Sequence, residues 1–521
     1  MFKNFSLRMD IRGVIFLFAA ISLLFVGAAG ADIATYLHST EVTVFWDPSE
    51  GFSSEVIWQS NAYETLLRYD PLTDKFTPVL AESYEKSSDG LSWTFHLRKG
   101  VKFHTGREMD AEAVKSSIDR TIAIGKGASF IWKPLDSIEV VDKYTVVFHL
   151  KTPGTLGLVC SSAYSAYIFD PDFANRDWFY AGHECGTGPY MLEIFEGDTL
   201  VVLKRFDDYW GGWKDRHFDK IVYKWVPEAG TRRLMIESGQ ADFTNRLPIE
   251  TIKALESNPN IKLVKTPSFQ NLIALFNTAK SEDHPIANPL VRKALAYAVP
   301  YGDVVKNVFG SYGRESRGVV PFGLWGYSER VKQYTYSLKT ARTLLAQAGY
   351  PDGGFKLLLS YTAGDEYERR TAELWKSTLA NLGIDLEVRG MTWDGHTGLA
   401  QAADPNERQD IFVFWWWPDF AHPYSFLSSL FETQEPPMYN FSYYKNPVYD
   451  DLINTATSIA GQDREEAINM YAEAQNLIME DAAGIAAGDL TYVHPISANI
   501  EGYVGNAAYP NVVFWYECYR K

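Results

Sequence analysis

The sequence lacks the short motifs by which the common classes of enzyme are recognised. It has no Gly-Xaa-Ser-Xaa-Gly turn for a serine nucleophile, no HExxH pair, no phosphate-binding loop and no dinucleotide fingerprint. Its 10 histidines are scattered as single residues, without the spacing of a metal site. We therefore expect no catalysis, no metal site and no bound cofactor.

Cysteine is also scarce. The three cysteines, Cys160, Cys185 and Cys518, allow one disulfide and one free thiol if the chain is exported. Cys160 and Cys185 are the preferred pair, and their bridge would be worth roughly 3 to 4 kcal/mol in the chain-entropy model. The alternative is that all three are small buried apolar residues.

Long apolar runs are absent except at the N-terminus. There, Lys3, Arg8 and Arg12 precede an almost wholly apolar run at 14–26, and small residues follow at 27–31. The run is shorter than the roughly 20 residues of a membrane-spanning helix. This order of charged, apolar and small residues predicts a cleaved signal peptide over 1–31 and a mature protein in the periplasm.

Basic residues are fewer than acidic residues, whereas aromatic residues are abundant. The formal net charge is −16, and removal of 1–31, which takes away three basic residues and one acidic residue, leaves about −18. Such a surface is poorly suited to nucleic acid or anionic lipid, so neither is expected as a partner. Aromatic residues make up 15% of the chain, an excess that is typical of proteins with binding clefts.

Strand and helix patterns alternate through most of the 521 residues, which predicts an α/β protein of two or three domains. Caps at Asn288 and Asp365 indicate the starts of two helices, the second extending to residue 382. The clearest amphipathic helix is predicted over 463–483. Because no flexible linker divides the chain, we expect it to cross between lobes on short strands.

An ordered series of segments resembles a known family. The series includes DP at 47–48, PVLAESY at 78–84, SDG at 88–90, WTFHLR at 93–98, GVKFHTG at 100–106, GTGPY at 186–190, FN at 276–277, VRKA at 291–294 and ARTLLAQAGYPDG at 341–353. In this order the segments are similar to solute-binding protein family 5, the oligopeptide and dipeptide receptors of ABC importers. The resemblance covers most of the mature chain.

The resemblance implies an α/β clamshell of the type II periplasmic-binding-protein kind, similar to cluster C, with an extra inserted domain. Lobe I is expected to comprise 32–69, 184–275 and 492–521. The inserted domain is expected over 70–183, and lobe II over 276–491. A ligand held between two lobes favours the closed state, which a membrane permease would recognise.

The resemblance further implies a receptor and not an enzyme: a monomer that delivers di- and oligopeptides to the permease subunits of an ABC importer. Other members of the family that resemble this chain bind oligosaccharides, opines or chelated nickel. These ligands are therefore the alternatives to a peptide.

The segment 411–426 carries the candidate ligand site. The resemblance places Asp419 at the position that binds a peptide's α-ammonium group, which needs a carboxylate partner once it leaves water. The alternative is that Asp419 caps the following helix. The candidate cleft residues beside it are Trp417, the preferred one, and Trp415, Trp416 and Phe420; strand alternation alone would place one tryptophan of the run in the cleft and two in the core. His422 stands where many relatives have an acid.

The family's N-terminal cleft segment includes Phe45, Trp46 and Asp47, where an extended peptide can pair with receptor backbone. A peptide ligand also implies an arginine for its carboxylate. The sequence leaves that choice open among three candidates, Arg369, Arg370 and Arg389.

Overall fold

The protein is described from a computed structural model that covers residues 32–214 and 216–521. The predicted signal peptide, 1–31, lies outside the described residues. Within them, no helix is both long and apolar enough to cross a bilayer.

Strands form the framework of the molecule. Within the described residues they are β1 (Ile33–His38), β2 (Leu67–Asp70), β3 (Lys75–Pro78), β4 (Ala81–Lys86), β5 (Ser92–Leu97), β6 (Leu135–Asp142), β7 (Thr145–Leu150), β8 (Tyr190–Glu196), β9 (Leu200–Arg205), β10 (Lys220–Trp225), β11 (Phe243–Thr244), β12 (Ile261–Phe276), β13 (Gly313–Arg314), β14 (Lys356–Thr362), β15 (Asp385–Met391), β16 (Ile411–Trp416), β17 (Gly484–Ser497), β18 (Ile500–Glu501) and β19 (Tyr519–Arg520). β5 and β7 alternate buried and half-buried positions, as a strand covered on one face does. β16 is buried at every position, which is typical of a strand covered on both faces.

Helices cover the strands. In the described part of the chain they are α1 (Val56–Ala62), α2 (Ala111–Ile124), α3 (Leu156–Val159), α4 (Arg176–Tyr180), α5 (Ala229–Glu237), α6 (Ile249–Leu255), α7 (Pro289–Tyr297), α8 (Tyr301–Asp303), α9 (Leu338–Gln347), α10 (Glu366–Ala380), α11 (Trp393–Ala400), α12 (Pro423–Phe431), α13 (Pro447–Ile459) and α14 (Arg464–Asp481). Asp110, Asn288 and Asp365 cap α2, α7 and α10 by accepting hydrogen bonds from N–H groups of the first turn.

One mixed sheet runs through both halves of the molecule. Its strand order is β15-β14-β16-β12-β17-β11-β1-β10-β9-β8, with β13 paired to β17. We call the part built on β1 and β8–β11 lobe I, and the part built on β14–β16 lobe II. β14 is parallel to β15 and β16, and β1 is parallel to β10 and β11. Ligands bind at the carboxyl ends of parallel strands in open α/β sheets, so each lobe offers one such edge.

β12 and β17 are the strands that join the lobes. They are 16 and 14 residues long, and they pair antiparallel from Ile261 opposite Ser497 to Leu275 opposite Gly484. The prediction of short crossing strands is therefore wrong. The predicted lobe boundaries at 275/276 and 491/492 fall inside these two strands, because each strand belongs to the sheets of both lobes.

A second sheet is antiparallel and has the order β4-β5-β7-β6. It lies wholly within 70–183, the range predicted for the inserted domain, and we call it and its helix α2 the four-stranded unit. The boundaries of that domain stay a prediction.

The structure contradicts the predicted disulfide. Cys160, Cys185 and Cys518 are all buried with free thiols. The Cys185 thiol donates to the carbonyl of Asp170 at 3.7 Å, and the Cys518 thiol to that of Phe514 at 3.5 Å. The cysteines are small buried apolar residues, which was the alternative interpretation of their scarcity.

Candidate ligand-binding site

Asp419 lies in the turn that connects β16 to α12. Only 3% of the residue is exposed. Its Oδ2 accepts a hydrogen bond of 2.8 Å from the Ser425 hydroxyl, and its backbone carbonyl accepts one of 2.6 Å from Ser162. Burial raises the pKa of Asp419 to about 7, and the Ser425 hydroxyl opposes that rise. The site thus holds a buried carboxyl group whose pKa lies near neutrality.

The helix after Asp419 is capped by another residue. His422 occupies the N-cap position of α12, and its Nδ1 accepts from the backbone N–H of Tyr424 at 3.1 Å. Burial lowers the pKa of His422 well below its usual value, so the imidazole is neutral and carries its proton on Nε2. The Asp419 carboxylate is therefore not used as the cap of α12, which was the alternative role for it.

Aromatic side chains from distant segments lie around the Asp419 carboxyl group. We call Phe52, Tyr164, Trp417, Tyr439 and Tyr509 the aromatic box. The negative charge of Asp419 contributes to raising the pKa of all three tyrosines, which reflects their proximity. The Trp417 indole N–H donates to the Tyr164 hydroxyl at 3.2 Å, and Phe52 stacks on Tyr439 with ring centroids 5.6 Å apart. The box joins residues that precede α1 to residues of lobe II.

The three tryptophans of the run have different neighbours, and the half-buried Trp417 reaches the box through Tyr164. The Trp415 indole N–H donates to Asp365 at 3.0 Å, and the ring lies 5.8 Å from that of Phe309. The Trp416 indole donates to the backbone carbonyl of Ser425 at 3.2 Å. Trp416 also contacts the box, with its ring 5.1 Å from that of Tyr439, whereas Trp415 contacts Asp365 and Phe309 instead. The placement of one tryptophan in the cleft and two in the core stays a prediction.

Phe420 lines a cavity that is separate from the aromatic box. Together with His422 it lines an apolar cavity of about 310 Å³ between the four-stranded unit and lobe II. The opposite wall includes Leu156 and Val159 of α3. Phe420 also stacks on His422 with centroids 5.1 Å apart. Its contacts shape the turn that holds Asp419.

The structure does not bring Trp46 and Asp47 together with Asp419. Asp47 is fully buried and receives two hydrogen bonds from Arg120 of α2, at 2.8 and 2.5 Å. Trp46 donates to the carbonyl of His183 and packs 4.6 Å from Trp58. We therefore assign both residues to lobe packing. Phe45 is half-buried, and a ligand contact for it stays a prediction.

Comparison with known proteins decides the family. The family model described as bacterial extracellular solute-binding proteins, family 5 Middle, matches residues 75–437. The chain belongs to family 5 of the bacterial extracellular solute-binding proteins. Heme-binding protein A of Haemophilus influenzae is 28% identical to it over 490 residues, which cover 87% of this chain and 88% of that protein. Glutathione-binding protein GsiB of Pectobacterium atrosepticum is 30% identical over 481 residues, which cover 91% and 90%.

Solved structures show the same fold as this family 5 protein. The periplasmic binding protein DppA from Helicobacter pylori, in complex with the peptide STSA, has a TM-score of 0.81 and 27% identity, with 94% of this chain and 98% of that chain covered. A dipeptide-binding protein from Pseudoalteromonas sp. SM9913, in complex with Met-Leu, also has a TM-score of 0.81, at 23% identity with 94% and 100% covered. These matches confirm the predicted family and the predicted type II α/β clamshell.

The three arginines that the sequence offered for a ligand carboxylate pair with glutamates in this family 5 protein. Arg369 binds Glu366 at 2.8 Å, Arg370 binds Glu250 at 2.7 Å, and Arg389 binds Glu387 at 2.5 Å; all are partly exposed. The described residues contain no group of three histidine, cysteine or acidic side chains placed to hold a metal ion.

Proposed function

We propose that this protein is the periplasmic receptor of an ABC importer for short peptides, and that Asp419 binds the α-ammonium group of the peptide. A monomer that presents its closed form to the permease subunits fits this role, because the mouth between the lobes must stay free to dock.

The environment of Asp419 carries the proposal. A buried carboxylate is costly unless a cation or several donors compensate it, and the described side chains supply one serine hydroxyl. The aromatic box adds ring faces, which attract cations. An ammonium group is therefore the ligand group that this arrangement binds best.

Two relatives support the peptide class. The name of the GsiB relative states that it binds glutathione, and the DppA structure contains the peptide STSA. A sugar is the second candidate, because sugar rings stack on tryptophan and tyrosine faces such as those of the box. A sugar, however, leaves the carboxyl group of Asp419 without a cation.

Calorimetric titration with a panel of di-, tri- and tetrapeptides tests the assignment. We expect Asp419→Asn, which keeps the shape of the side chain, to weaken the tightest peptide several hundred-fold or more, since breaking a buried ion pair costs about 3–5 kcal/mol. N-acetylation of the same peptide should weaken wild-type binding to a similar extent and add little in the variant.

Thermal unfolding of both proteins is the folding control. Unchanged affinity in a folded Asp419→Asn protein would refute the ammonium site. Binding of oligosaccharides by a protein that ignores every peptide of the panel would instead favour the sugar receptor.

A further inference from the structure

Arg246 occupies a position where ligands bind in this type of sheet. It follows β11, whose carboxyl end lies beside that of the parallel strand β1 in lobe I. The residue is half-buried and has a φ of +46°, in the left-handed region that a residue with a side chain rarely adopts. Arg232 donates to its backbone carbonyl at 3.1 Å and holds this conformation. Strained residues of this kind concentrate at binding sites.

Groups of lobe II and of the joining strands act on the Arg246 guanidinium. Tyr492 of β17, and Asp365 and Glu368 at the start of α10, raise its pKa. Asp365 already accepts from the N–H groups of Tyr367 and Glu368 and from the Trp415 indole. Among the described residues, no carboxylate oxygen lies within 4.0 Å of the Arg246 guanidinium. Arg246 thus differs from Arg369, Arg370 and Arg389, each of which has a glutamate partner.

Two buried amide side chains have unused donors: one precedes Arg246 in sequence, and the other binds Tyr492, which acts on Arg246. Asn245 and Gln270 are 1% and 2% exposed, and the NH₂ group of each has no hydrogen-bond partner. Their oxygens are both used: that of Asn245 accepts from the backbone N–H of Ser39 at 3.1 Å, and that of Gln270 accepts from the Tyr492 hydroxyl. The two NH₂ groups that remain without partners are hydrogen-bond donors, and such donors can bind the oxygens of a carboxylate.

The acidic neighbours do not cancel this preference. Burial raises the pKa of Asp365 and raises that of Glu368 well above its usual value, which disfavours negative charge on both side chains. The Asp365 charge is shared among three donors. The Arg246 charge therefore stays available to a ligand.

We propose that Arg246, supported by Gln270 and Asn245, binds the carboxylate of the ligand whose ammonium group lies at Asp419. This inference rests on the proposed function and deepens it: the ligand is a zwitterion held by one anchor from each lobe. Trp415, whose indole binds Asp365, precedes Asp419 by only four residues, so one short segment of lobe II contacts both Asp365 and the ammonium site.

The test compares the tightest peptide of the panel with its C-terminal amide and its N-acetyl form. Wild-type protein should bind the free acid at least about 30-fold more tightly than the amide, as expected for a partly desolvated charge pair. Arg246→Gln should bind acid and amide equally, with the acid weakened to the amide's level. Arg246→Lys, which keeps the charge and loses the fork geometry, should retain part of the preference.

Arg370→Gln is the matched control, because it removes an arginine that pairs with Glu250 on the surface. It should keep the full preference for the acid. Gln270→Leu provides a second variant if Arg246→Gln does not fold, and it should reduce the preference for the acid.

The two proposals fail in different ways. A folded Arg246→Gln protein that still discriminates acid from amide overturns the carboxylate site, while the N-acetyl and Asp419→Asn results can stand. A panel in which no peptide binds, or in which N-acetylation changes nothing, overturns the ammonium site instead.

Discussion

The carboxyl group of Asp419 is buried, and burial makes its negative charge costly. Its pKa is raised to about 7 by desolvation, and the hydrogen bond from Ser425 compensates only in part. Near neutral pH the free receptor is therefore a mixture of protonated and ionised Asp419. The ammonium group of the proposed ligand would favour the ionised form, so we expect ligand binding to release a proton.

This competition predicts a pH-dependent affinity. Because the ligand binds the carboxylate and a proton occupies it below about pH 7, the peptide dissociation constant should rise by up to about tenfold for each pH unit between 7 and 5. Titration calorimetry in two buffers of different ionisation enthalpy measures both the affinity and the protons released. Asp419→Asn should show a flat profile. A wild-type affinity that does not change from pH 7 to pH 5 would contradict the role of this carboxyl group.

The segment between β1 and α1 shows how acidic side chains position the box. Asp47 holds it to α2 through Arg120. Glu55 accepts from four backbone N–H groups, those of Val44, Phe45, Phe52 and Ser53, at 2.5–3.3 Å. These bonds fold the segment back on itself and carry Phe52 to the aromatic box.

Asp47→Asn should therefore act on stability and not on affinity. The change leaves Arg120, whose side chain is 18% exposed, without a full counter-charge, and we expect a loss of about 2–4 kcal/mol in the free energy of unfolding. Denaturant titration measures this loss, and peptide affinity at low temperature should change less than about threefold. Asp74→Asn, which breaks the exposed pair with Arg464, is the control and should cost at most about 1 kcal/mol. A large loss of affinity at unchanged stability would return Asp47 to the ligand site.

Local signals predicted elements well, and long-range contacts limited the prediction of the site. The cap Asp365 and the amphipathic pattern over 463–483 correspond to α10 and α14 within two residues, because caps and periodicity depend on neighbours in sequence. Asp419 was found through the family segment that contains it. Phe52, Tyr164, Tyr439 and Tyr509 were not, since they come from four distant segments that share no motif.

Residues 45–47 illustrate the same limit on a smaller scale. The sequence identified a cleft segment but not the side chains that face the cleft. The side chains of Trp46 and Asp47 are buried in the packing of the lobe, whereas Phe52, a few residues later, stacks on Tyr439 of the box. Arg246 had no sequence signal either. Its candidacy depends on φ, on unpaired donors and on its position across from Asp365, which only the folded chain shows.

In the whole molecule, β12 and β17 make the lobes one continuous sheet, and other contacts close the space in front of them. The Trp417 hydrogen bond to Tyr164 crosses between lobe II and the chain that follows α3. Farther out, Arg464 of α14 binds Asp74 at 2.7 Å, and Lys86 donates to the carbonyl of Gly461 at 2.7 Å. If the proposed ligand lies at Asp419, we expect these contacts to open before it can leave. The exposed pairs are weak and add little to the free energy of opening.

A cross-link between α14 and the β2–β3 turn tests this closure. Asp74→Cys together with Arg464→Cys replaces the ion pair with two exposed thiols, which a short bis-maleimide can join. The native cysteines should not react, because burial raises the pKa of all three thiols. We expect the cross-linked empty receptor to bind peptide at least about 100-fold more slowly than the uncross-linked double variant, as followed by tryptophan fluorescence in stopped flow.

A receptor loaded with peptide before cross-linking should retain it through extensive dialysis. The Asp74→Cys single variant, treated with the same reagent, should bind and release peptide at normal rates. If the cross-linked receptor does so as well, the ligand must enter by a path that these contacts do not close.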